Sequence, residues 1–146
     1  MLARRELSSA QVRERLMRKG FTKSEIEDAL RRLEAEGALD DRRTAAAYAH
    51  ESATVKFRGR ARTLQELQAR GISRLHARAA VDHAYASLDE GALLDRAVRR
   101  RLDGKIHSRT HLRHLYQALL RQGFDGTAIA KSLRSKTNFD PGQDTD

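Results

Sequence analysis

Three histidines, His107, His111 and His114, stand at i, i+4 and i+7. On a continuous helix that spacing places side chains on one face, and imidazole is a common ligand of zinc and related metals. A metal site would want thiolates or carboxylates beside them. The chain has no cysteine, and the nearest carboxylate is Asp103. His107 also precedes the cap of the helix expected here, so the trio reads as solvated side chains on a basic face. His50, His76 and His83 are scattered, with no acid or nucleophile at a spacing that would move a proton. Asp40 and Asp41 could form an acidic or metal-binding pair, but capping a helix start is the simpler use. Gly59 and Gly104 are isolated, and no Gly-x-x-x-x-Gly-Lys phosphate loop occurs. Nothing in the sequence assembles a nucleophile–base pair, an oxyanion hole or a cofactor pocket. The expectation is a protein that is not an enzyme and takes no metal or cofactor.

Charge carries the stronger signal. The 146 residues hold 29 Lys and Arg against 20 Asp and Glu, a net charge of +9 and a pI near 10.6. Residues 1–39 are net +2, residues 40–90 net +2, residues 91–134 net +7 and residues 135–146 net −2. Such a balance suits a polyanionic partner: nucleic acid, a nucleoprotein or an acidic protein face. The plainer reading is a set of solvated helix faces on which Arg pairs with Glu. Two clusters tilt toward a contact surface. Lys56, Arg58, Arg60 and Arg62 alternate with other residues around Gly59, which predicts an exposed basic loop. Arg96, Arg99, Arg100 and Arg101 have only Asp95 and Asp103 near them to balance their charge. Arg109 and Arg113 extend the basic character into the next segment.

The elements that must position these residues follow from a repeat. Leu16, Gly20, Phe21, Thr22 and Ile26 recur as Leu67, Gly71, Ile72, Ser73 and Ala77, and again as Leu119, Gly123, Phe124, Asp125 and Ile129. The glycines are 51 and 52 residues apart, and self-similarity at a fixed period is the mark of a repeat protein. Each copy reads as a helix ended by glycine, which reaches left-handed backbone without steric cost. A residue suited to N-capping the next helix follows. Thr22 with Glu25, and Ser8 with Gln11, fit capping boxes. Phe21 with Ile26, and Phe124 with Ile129, fit hydrophobic staples, and the middle pair, Ile72 with Ala77, is the weakest.

Apolar residues at helical spacing fill the rest: Ile26, Ala29, Leu30 and Leu33, then Leu112, Leu115, Tyr116 and Leu119. The fold class expected is all-α, with tandem repeats of a three-helix unit stacked into an elongated, curved array. Repeat 1 spans 1–39 with its first helix shortened, repeat 2 spans 40–88 and repeat 3 spans 89–134. A disordered tail is expected over 135–146, where the composition turns polar. No apolar run approaches the roughly 20 residues of a membrane span, and the start, Met1-Leu2-Ala3-Arg4-Arg5, carries charge where a signal peptide would be apolar.

Several stretches resemble the RecX family of bacterial regulators. They are Leu2 to Leu16 with Lys19-Gly20-Phe21; Leu33 to Asp41 with Ala47-Tyr48; Leu64-Gln65-Glu66-Leu67 with Arg70-Gly71-Ile72; and Leu115 to Phe124. Together, in order, they cover about residues 2 to 134. The resemblance implies tandem three-helix repeats that bind the RecA recombinase, lodge in the groove of its filament on DNA, and curb ATP hydrolysis and strand exchange. It implies a role in DNA repair, recombination and the SOS response, a cytoplasmic monomer, and contact with DNA through the filament or weakly and directly. Thr44 stands where the family usually carries an aromatic core residue, and Arg60 where a proline often follows the loop glycine. The ten candidate contact residues named above come from charge, not from the resemblance. Two other readings stay open: a helical module that binds DNA without RecA, and a scaffold whose basic face meets another acidic protein.

Overall fold

The structure, a computed structural model, describes residues 6–138. Its eight helices are α1 (Ser9–Arg18), α2 (Lys23–Ala35), α3 (Asp41–Thr54), α4 (Arg60–Ala69), α5 (Arg74–Ala86), α6 (Glu90–Arg101), α7 (Arg109–Arg121) and α8 (Gly126–Arg134). The all-α repeat fold expected from the sequence is what the chain adopts. The starts of α1, α2, α3, α6, α7 and α8 have a visible cause in a capping side chain. Ser8 and Thr22 make capping boxes with Gln11 and Glu25, and the Thr22 contacts hold the Glu25 carboxyl below the usual range. Asp89, Ser108 and Asp125 cap α6, α7 and α8 through the backbone N–H three residues on. The Asp40 carboxylate accepts from the N–H groups of Arg42 and Arg43. Asp41 instead accepts from the Ser9 N–H at 2.8 Å and the Ser9 hydroxyl at 3.1 Å. The pair is therefore used in helix capping and in binding α1.

The three corner glycines take φ of +90°, +83° and +102° at Gly20, Gly71 and Gly123. That is the backbone the repeat predicts, because only glycine adopts it freely.

The helices form two compact units whose borders cut through α3, α4 and α5. One comprises Met1–His50 with Leu64–Ala84, the other Glu51–Thr63 with Tyr85–Asp146. In the first unit α1 packs on α2, and Ile26, Leu30 and Leu39 form a buried cluster joined by Val12, Leu16 and Leu33. Phe21 is not in that cluster and is 46% exposed. The staple expected there is thus not what buries Ile26. The middle copy, expected to be weakest, has both Ile72 and Ala77 fully in the core. Thr44, at the position of the expected aromatic, is buried, with its hydroxyl 3.4 Å from a Glu6 carboxylate oxygen.

In the second unit α6, α7 and α8 pack pairwise. Their inward faces bury Leu94, Val98, Leu115, Leu119, Ile129 and Leu133. Each such side chain contributes about 1.5–3 kcal/mol relative to exposure. Residues 136–138 lie within the stretch expected to be a disordered tail. Here the Ile106 N–H donates to the Lys136 carbonyl at 2.9 Å, and the Asn138 N–H donates to the Ile106 carbonyl at 2.8 Å. The rest of that expectation, residues 139–146, falls outside the described residues, as does the start at Met1.

Candidate basic interaction surface

The 56–62 segment is not the free loop that its composition suggested. Lys56, Arg58, Arg60 and Arg62 are each half-buried, and Gly59 between them is buried. The physical reason is the third glycine corner. The Gly59 N–H donates to the Gln122 carbonyl at 2.8 Å, and a Cβ at Gly59 would overlap the Gly123 carbonyl. The segment is pressed onto the Gly123 turn, and α4 starts directly from it. Arg60 is the first residue of α4, a position that also suits proline. Its guanidinium pairs with Glu90 at 2.8 Å and lies 5.6 Å from the Tyr85 ring centre. Tyr85 is buried, its hydroxyl 2.9 Å from that of Thr63 and donating to the Arg58 carbonyl. Burial pushes the Tyr85 phenol above its usual range.

Two residues that charge alone did not single out organise this region. Gln122 accepts from Arg62 Nη1 at 2.8 Å and from Arg101 Nη2 at 3.4 Å, while its own Nε2 donates to the Lys56 carbonyl at 3.1 Å. Its counterparts at the other corners, Lys19 and Arg70, are cations. A cation at 122 would face Arg62, whose guanidinium is already held below its usual range by burial and by the charges of Arg58 and Arg101. The break in the repeat at this one position was the available signal.

Phe57 is the second organiser. It has φ +51°, the one positive value outside glycine among the described residues, which costs an aromatic residue about 1–3 kcal/mol. The strained turn lays its ring beneath two arginines of α6, Arg96 at 5.1 Å and Arg100 at 5.2 Å from the ring centre. The structure thereby joins the two clusters that the sequence left separate. The third arginine of that outer face, Arg99, is exposed, as are Arg96 and Arg100. Leu93, Leu94, Ala97 and Val98 occupy the opposite, buried side. Arg101 points another way, to Gln122. Chemically, Arg96, Arg99 and Arg100 form an exposed, always-charged face with five donors per guanidinium, suited to phosphate or carboxylate groups.

Arg109 and Arg113 stand on α7. With Leu112, Tyr116, Leu133 and Arg134 they line a separate open cleft of about 330 Å³. His107 precedes α7, its Nδ1 3.2 Å from Asn138 Nδ2, while His111 and His114 are exposed on the helix. No group of three His, Cys, Asp or Glu among the described residues could hold a metal ion. No helix among them is long and apolar enough to cross a membrane.

Comparison with known proteins matches the same elements. Residues 1–33 fit the family model of the first RecX three-helix domain, and residues 40–81 fit that of the second. Two curated proteins named regulatory protein RecX, from two strains of Treponema pallidum, are each 31% identical over 138 residues. The match spans 94% of this chain and 81% of theirs. The recurring glycine corners, the all-helical repeats and these matches together show that the chain belongs to the RecX family of regulatory proteins.

Proposed function

We propose that this chain binds the RecA recombinase filament on DNA and restrains its ATP hydrolysis and strand exchange. The observation that carries the reading is the α6 face, where Arg96, Arg99 and Arg100 stand exposed on a helix whose other side is core. Phe57 holds two of them in place. A filament of protein on DNA is a polyanion, and the two guanidiniums already held over Phe57 lose less side-chain freedom on docking to one. Family membership supplies the regulatory role. The repeat boundaries 1–39, 40–88 and 89–134 belong to this proposal as the units that present the surface.

The test is direct. Added to RecA on single-stranded DNA, the chain should slow ATP hydrolysis at stoichiometric levels or below. Unchanged hydrolysis, with no chain recovered on the filaments, would overturn the proposal. The same arginines would also suit bare DNA phosphates, with affinity falling steeply as salt rises because counterions are released. Tight gel shifts of DNA alone at physiological salt would favour that second reading. A pull-down that survives nuclease and recovers an acidic protein other than RecA would favour a scaffold.

A further inference from the structure

In two of the three glycine corners the chain itself supplies what sits on the turn. At Gly71 the visitor is the start of α1. Ala10 packs so close that a Cβ on the glycine would overlap its own, and the Ser8 hydroxyl donates to the Arg70 carbonyl. At Gly123 the visitor is the start of α4. Gly59 meets the turn, and its N–H donates to the Gln122 carbonyl at 2.8 Å. The two contacts share one chemistry. Each visitor is a helix start, each presents a small residue to the glycine, and each gives one hydrogen to the carbonyl just before it. The positive end of the arriving helix thereby meets the negative end of the helix that the corner terminates.

The Gly20 corner has the same backbone and, among the described residues, no visitor. Apart from its chain neighbours, no atom of the described residues lies within 4 Å of where a Cβ on Gly20 would stand. The Lys19 carbonyl accepts no hydrogen bond among the described residues. Phe21 is 46% exposed, against 3% for Ile72 and 9% for Phe124, and Met17 beside it is 62% exposed. Arg18, Lys19 and Lys23 flank these residues in the sequence and are exposed, Arg18 being paired with Glu14. We infer that the Gly20 corner is a docking site for a helix start of the protein partner, one with a small residue at its tip and acidic residues in its first turn. Acidic first turns are the common pattern of helix starts, and they complement the lysines here. A second copy of this chain is a poorer occupant. Its Ser8–Ala10 and Gly59 starts are already seated, the Glu90 carboxylate of its α6 start is paired with Arg60 at 2.8 Å, and its α7 opens with Arg109.

The inference rests on the filament reading and adds to it a second, apolar point of contact. The test measures binding of the full chain to RecA filaments across a salt series, with Phe21→Ser, Phe21→Leu and Met17→Ser. Phe21→Ser should weaken binding about tenfold at every salt concentration, as loss of an aromatic anchor does. The slope against salt should stay unchanged, because no charge is removed. Phe21→Leu should restore most of the affinity, and Met17→Ser should lose a few-fold. Helical circular dichroism of each variant should match the unaltered chain, since both side chains face solvent. Equal binding by Phe21→Ser and the unaltered chain overturns the docking site and leaves the filament reading standing. No binding by the unaltered chain overturns both.

Discussion

The Gly20 and Gly123 corners share a sequence pattern, Leu, three residues, Gly-Phe and an N-cap, yet they end in opposite environments. Both glycines have positive φ, and both caps bond the N–H three residues on. At Gly123 the turn is buried, a Cβ would stand 2.5 Å from that of Arg62, and Phe124 is 9% exposed. At Gly20 none of the described residues fills the space and Phe21 is 46% exposed. The conformation of the corner is therefore set locally, by glycine and the cap. Its burial is set by what arrives from a distant part of the chain, and among the described residues one of these two corners receives nothing.

That contrast predicts unequal costs for equal substitutions. Phe124→Ala should lose about 3–5 kcal/mol of stability, the range for a buried aromatic, and Phe21→Ala about 1 kcal/mol or less. Urea midpoints of the two variants check this, and similar midpoints would mean the corners are equivalent after all. Gly123→Ala should cost about 3 kcal/mol, combining overpacking against Arg62 with strained φ. Gly20→Ala, which meets no described neighbour, should cost about 1–2 kcal/mol for the backbone alone. Ser8→Ala tests the covered Gly71 corner. Ser8 is buried and serves as both α1 cap and donor to the Arg70 carbonyl, so its loss should cost about 2 kcal/mol. A change below a few tenths in thermal or urea unfolding would show that the α1 start does not hold that corner. The smallest effect is expected from exchanging the residues before the glycines. Gln122→Lys should lose about 1 kcal/mol by facing a cation to Arg62 and Arg101, while Lys19→Gln should leave stability unaltered.

Much of the architecture was legible in the sequence because its causes are local. Capping boxes at Ser8 and Thr22, the glycine turns and the apolar stripe around Ile26 and Leu30 all act within a few residues. What misled was everything decided across long sequence separations. Lys56 to Arg62 read as an exposed loop because composition cannot reveal that Gly59 lands on Gly123, 64 residues away. Phe21 read as a staple because the motif does not say whether anything covers it. The arginines of α6 were legible as a cluster. Their support was not, since it depends on a strained aromatic, Phe57, and on Gln122, which look unremarkable until placed.

The proposed role rests on docking of the α6 arginine face on the RecA filament. Its most direct measurement is co-sedimentation of the chain with RecA filaments on single-stranded DNA, comparing the unaltered protein with one carrying Arg96→Glu, Arg99→Glu and Arg100→Glu. These side chains are exposed, so helical content should not change. The unaltered chain should pellet with the filaments and the variant should stay in the supernatant. Recovery of the variant with the filaments at the level of the unaltered chain would contradict it.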